Sequence, residues 1–180
     1  MRRLALILAM CAVARAHDLE DNRATLVLRD PTHISVTLYL NYGEALHKAL
    51  LPSRDYGAFL LIYSSMKPDE LKKELAKAQT KFEGATQLAT PNGARLKLTA
   101  WHWPDAAQVQ AALQQQVMQA MVDGHVHTPP LEIRADAVAT TKIETLTARF
   151  PSEFQKILVV SYKPTQTWID PTSPQAQIHF

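Results

Sequence analysis

Between residues 24 and 41 apolar and polar side chains alternate so strictly that the segment is constrained to a pair of half-buried strands. Ala24, Leu26 and Leu28 interleave with Thr25, Val27 and Arg29; after Asp30-Pro31-Thr32, the residues Ile34, Val36, Leu38 and Leu40 interleave with His33, Ser35, Thr37, Tyr39 and Asn41. Successive side chains of a strand point to opposite faces, so each segment carries one dry row and one wet row. The turn residues between them predict an antiparallel pair. A sheet with one dry face needs a second layer to cover it.

Helical patterns supply that layer. Pro68 suits a first helical turn, and Asp69 and Glu70 favour its positive end. Leu71, Leu75, Ala78 and Phe82 form one stripe, and Gly84 marks a stop. Pro104 and Asp105 open a second helix, in which Val109, Leu113, Val117, Ala120 and Met121 share a face before Gly124 and Gln110, Gln114 and Gln115 form a wet one. Residues 44–51 have helical spacing over a short stretch, and the apolar run 59–63 reads as a buried helical turn. A hairpin is expected where 87–89 and 95–101 flank Pro91-Asn92-Gly93. Beyond Pro130, strands are expected around 131–135, 146–150, 157–162, 167–169 and 177–180. The run 157–162, the most apolar after the start of the chain, reads as a central strand. The expected fold is α+β: a largely antiparallel sheet or β-sandwich, with two amphipathic helices inserted between strand groups. The amino-terminal and carboxy-terminal strands pair with each other to form one core.

Residues 1–16 read as a secretory signal. Arg2 and Arg3 are its basic start, Leu4 to Val13 its apolar stretch, and Ala14-Arg15-Ala16 its cleavage site. The apolar stretch is half the roughly 20 residues a spanning helix needs, so cleavage leaves a single exported domain, 17–180, with no transmembrane segment. The alternative is a lipoprotein anchored through Cys11, for which Met10 is a poor preceding residue. Losing Arg2, Arg3 and Arg15 with the signal leaves 16 basic against 17 acidic residues, and no Lys/Arg cluster remains to engage nucleic acid. Cys11 is the sole cysteine, so the exported domain has no disulfide and no thiolate site and must be held by packing, which suits a periplasmic or secreted setting.

Chemistry-bearing residues are few. All seven histidines lie in 17–180. His125-Val126-His127 would point both imidazoles to one side of an extended segment, where they could hold copper or nickel; the same triplet before Thr128-Pro129-Pro130 also reads as a solvated loop. Cleavage would place a free α-amino group beside the His17 imidazole, a second metal clamp. Trp101-His102-Trp103-Pro104 reads either as a pocket wall or as a core edge, with the indoles facing one way and His102 the other. No nucleophile elbow, zinc-protease helix, Walker loop or dinucleotide fingerprint is present, so no catalytic residue is assigned.

In a His directly after the signal, an early strand pair (23–41), a lysine-rich helix running into a hairpin (70–98) and late strands ending in a valine-rich one (145–162), the chain resembles the extracytoplasmic N-terminal domain of the HupE/UreJ family of nickel-linked membrane proteins. The resemblance implies a soluble periplasmic domain linked to metal sensing or delivery, with His17 the matching ligand. The expected function is a periplasmic, non-enzymatic binding domain handling or sensing a transition metal. The alternative is an interaction or assembly module that docks a membrane or envelope protein through its sheet edge or glutamine-rich helix.

Overall fold

A computed structural model of the chain describes residues 22–122 and 129–164. The signal with Cys11, the histidines His17, His125 and His127, and the strands expected at 167–169 and 177–180 lie outside these residues.

The alternating segments form β1 (Asn22–Leu28) and β2 (His33–Leu40), paired antiparallel with Ala24 opposite Leu38 and Leu26 opposite Val36. Asp30 makes the turn: its carboxylate accepts from the N–H groups of Thr32 and His33 at 2.8 and 2.9 Å. Those donors, the Thr32 contact foremost, hold the Asp30 carboxyl below the usual carboxylate range. β2 then pairs antiparallel with β6 (Leu131–Val138), and β6 with β5 (Leu98–His102). β8 (Ile157–Tyr162) joins the far side of β1 in parallel, giving a five-stranded sheet in the order β5-β6-β2-β1-β8. The chain's amino-terminal and carboxy-terminal strands therefore pair, as expected, through the one parallel ladder among the described residues. A small second sheet, β4-β3-β7, is formed by β3 (Gln87–Ala89), β4 (Arg95–Leu96) and β7 (Thr147–Arg149).

The α+β class holds, but among the described residues the helical layer has four members rather than two. α1 (Tyr42–Leu50) and α2 (Tyr56–Ser64) add to α3 (Pro68–Ala85) and α4 (Ala106–Val122). Each of the two added helices is only nine residues long. Both are held by side-chain caps, Asn41 for α1 and Asp55 for α2, so tertiary burial and capping override their short periodicity. α4 opens with a reciprocal capping box, Gln108 N donating to Asp105 Oδ1 at 2.7 Å and Asp105 N to Gln108 Oε1 at 2.9 Å.

The dry rows of β1, β2 and β6 and the stripes of all four helices make one core, with Leu38, Leu40, Leu46, Phe59, Leu71, Phe82 and Ile133 fully buried. Tyr42 and Phe82 meet edge to face, and Phe82 packs on Phe154 at 4.9 Å, sealing one end. Gly43 lets α1 approach the Tyr56 hydroxyl and Gln116: a β-carbon there would lie 2.6 Å from Tyr56 Oη. On α4 the expected face holds at Val109, Leu113 and the half-buried Val117, and fails at its end. Val109 and Leu113 are buried with Gln116, which accepts from Tyr56, whereas Ala120 and Met121 are exposed. Gln110 and Gln114 turn inward enough to cap the carbonyls of Ser64 and Met66 at the end of α2.

Candidate functional site

The wet rows of the sheet form an open polar face, built by cross-strand neighbours. Asp136 on β6 accepts from Ser35 at 2.8 Å and lies 3.2 Å from His33 Nε2, both on β2; Arg29 Nε donates to Ser35. Arg23 on β1 sits over the Tyr39 ring, 4.6 Å from its centre. A hydrogen bond to the Glu132 carboxylate raises the Tyr39 hydroxyl above its ordinary value, and Glu132 in turn pairs with Arg134. Two shallow grooves lie on this face, of about 460 Å³ and 350 Å³, and they share His102, Glu132 and Arg134. Both carboxylates in them are already engaged, which makes this a self-satisfied polar network rather than a set of groups converging on a substrate.

His102 reaches that face through a bulge. Thr99 opposes Asp136 and His102 opposes Arg134, so two residues, Ala100 and Trp101, stand against Ala135 alone, and Ala100 takes φ 51° to make the step. Trp101 and Trp103 stack at 5.4 Å against the core, with Trp103 Nε1 donating to Glu83 at 2.8 Å, while His102 is exposed on the other side. Both sequence readings of this run are thus partly met: the indoles are a core edge, and His102, Trp103 and Pro104 line a groove.

Of the metal candidates, His17, His125 and His127 are outside the described residues. Among the described residues no group of three His, Cys, Asp or Glu side chains could hold a metal ion. His47 is occupied on α1, its Nε2 2.8 Å from the Arg54 carbonyl oxygen and its ring against Tyr56 and Phe59.

The feature that sequence reasoning missed is β8. Read as a central strand from its apolarity, among the described residues it ends the sheet: Leu158, Val159, Val160 and Tyr162 are 43, 46, 39 and 53% exposed, and β1 is its only neighbour there. Its pairing with β1 runs without interruption from Asn22 opposite Ile157 to Val27 opposite Tyr162. Residues on both faces of this strand are exposed, Val159 and Ser161 on the row shared with Ala24 and Leu26, and Leu158, Val160 and Tyr162 on the other. The signal that could have found it is the bracketing of the apolar run by Lys156 and Lys163, which marks where an apolar strand meets water.

No helix among the described residues is long and apolar enough to cross a membrane. No family model, curated protein or solved structure matches the chain.

Proposed function

We propose that this chain is a non-enzymatic periplasmic interaction module that docks an extended segment of an envelope protein along β8. The observation that carries the reading is the build of that strand: six consecutive uncharged residues in regular register, with β1 their only ladder partner among the described residues and Leu158, Val159, Val160 and Tyr162 exposed. Main-chain hydrogen bonds to such an edge supply affinity, and pockets beside alternate side chains supply selectivity. Edge strands left in this state are a liability unless something covers them.

A photo-reactive benzoylphenylalanine at Tyr162, with the same group at Thr99 on the opposite edge as control, tests the reading in cells exporting the full chain. Intermolecular adducts are expected from position 162 and not from 99, and they disappear when Val159→Lys places a charge on the core-side row. Adducts at neither position, or equally at both, would overturn it.

Transition-metal handling through His17, His125 and His127 rests on the sequence pattern and the resemblance to nickel-linked proteins. Copper or nickel at low excess should then raise the melting temperature of the exported protein, because a ligand held only by the native state stabilises it.

A further inference from the structure

The outer face of α4 is built unlike that of a helix meant to stay in water. Neither α2 nor α4 contains a charged residue, whereas Lys72, Lys73, Lys77 and Lys81 lie on the exposed side of α3. At 3.6 residues per turn, Ala107, Ala111, Gln114, Gln115, Met118 and Val122 form a stripe opposite the buried Val109, Leu113 and Gln116. All six are exposed, Met118 and Val122 at 62 and 77%. α2 packs along α4, its end held by Gln110 and Gln114, and adds exposed Leu61 and Ile62. Depletion of charge with enrichment of methionine marks the centre of a protein interface rather than open surface.

We propose that this stripe is the contact between two copies of the chain, with α4 antiparallel to its partner's α4 about a two-fold axis between Gln114 and Gln115. Nothing in this pairing involves β8. Spacing selects both the occupant and the direction. About that axis Ala107 meets Val122, Ala111 meets Met118 and Gln114 meets Gln115, and the two-fold repeats each pair. Every layer therefore sets a small side chain against a large one, or an amide against an amide. A parallel pair would set Ala107 on Ala107 and Val122 on Val122, leaving a gap at one end and crowding at the other, and would align the two helix dipoles. The glutamine layer can hydrogen-bond across the axis and fix the register, as a single polar layer does in coiled coils. A stripe without charge offers a charged partner no counter-charge. Anionic lipid favours helices with a basic rim, whereas the charged residues flanking α2 and α4 among the described residues, Arg54, Asp55, Lys67 and Asp105, are balanced. The stripe is about 24 Å long and one helix, about 10 Å, wide. That falls short of the roughly 800 Å² a side of a stable complex, so the dimer is reversible, with a Kd on the order of 10 μM.

Sedimentation velocity on protein purified from cells exporting the full chain tests the pairing, and a monomer–dimer equilibrium is expected between about 1 and 100 μM. Met118→Lys and Ala111→Glu, both at exposed positions, should each weaken it about tenfold. Together they should restore it to within about threefold of the parent, because 111 of one copy faces 118 of the other while the two lie two turns apart on one helix. Mixed in equal amounts, Ala111→Cys and Met118→Cys chains, each with Cys11→Ala, should form the mixed disulfide about tenfold faster than either forms its own. No dimer at about 1 mM, or a dimer that neither single substitution weakens, would overturn the proposal. So would a dimer weakened by both and not restored by the pair, or equal rates for mixed and like disulfides. A monomer that floats with phosphatidylglycerol vesicles and loses them on Met118→Glu would make this face a lipid contact and overturn the pairing as well.

Discussion

The five-stranded sheet ends in two strands of opposite build. β5 is short and bulged: Ala100 at positive φ breaks the ladder, Trp101 and Trp103 fold back against the core, and Thr99 and His102 meet water. β8 is regular, uncharged from Ile157 to Tyr162, and exposes three aliphatic side chains and a tyrosine. A bulge twists an edge away from further pairing, whereas a straight apolar edge invites it. The difference teaches that, among the described residues, one end of this sheet is broken by backbone distortion while the other keeps a regular apolar strand.

The largest expected effect separates both edges from the sheet's centre. Leu38→Ala, at a position 1% exposed on β2, should cost about 3 kcal/mol in a denaturant melt. Val159→Ala on β8 should cost about 1 kcal/mol or less. If the two losses were equal, β8 would be as much a core strand as β2.

The closed edge can be broken at its bulge. Ala100→Val puts a β-branched residue at φ 51° and should lose about 1 to 2 kcal/mol, while Ala100→Gly should be neutral or stabilising by up to about 1 kcal/mol. A stabilising valine would mean that the bulge does not hold β5 in place.

The open edge has its own anchor in the turn just before β8. Burial raises the Glu153 carboxyl, but Lys81, 2.7 Å away on α3, and the local hydrogen bonds outweigh it and leave the group below its ordinary value of 4.5. A depressed carboxylate stabilises the fold above its unfolded value and loses that contribution as pH falls through the lower folded one. Lys81→Met should therefore lower stability by about 1 kcal/mol at pH 7, and the gap between variant and parent should close as the pH drops below 4.5. A gap independent of pH would assign the loss to packing. The smallest stability effect belongs to Val160→Thr on the polar row of β8, within about 0.5 kcal/mol by thermal melting.

The centre of the fold was legible because its signals are local. The alternation of 34–40 recurs as buried Ile34, Val36, Leu38 and Leu40, and the stripe Leu71, Leu75, Ala78 and Phe82 is the buried face of α3. What failed depended on position in the sheet. Apolarity tells that 157–162 is a strand, yet a strand buried on both faces and an edge awaiting cover have the same composition. The buried face of α4 was incomplete in the sequence reading because Gln116 joins Val109 and Leu113 through a hydrogen bond from Tyr56, sixty residues away, which no periodicity records. The bulge at Ala100 was equally hidden, since alanine carries no mark of positive φ.

Amide hydrogen exchange on the full chain compares the two edges most directly. If β8 is kept paired along its outer side, its amides that face away from β1 should exchange within about tenfold of those that face it, while the outward amides of β5 should exchange close to unprotected rates. Outward amides of β8 that exchange as fast as those of β5 would contradict an edge built to be paired.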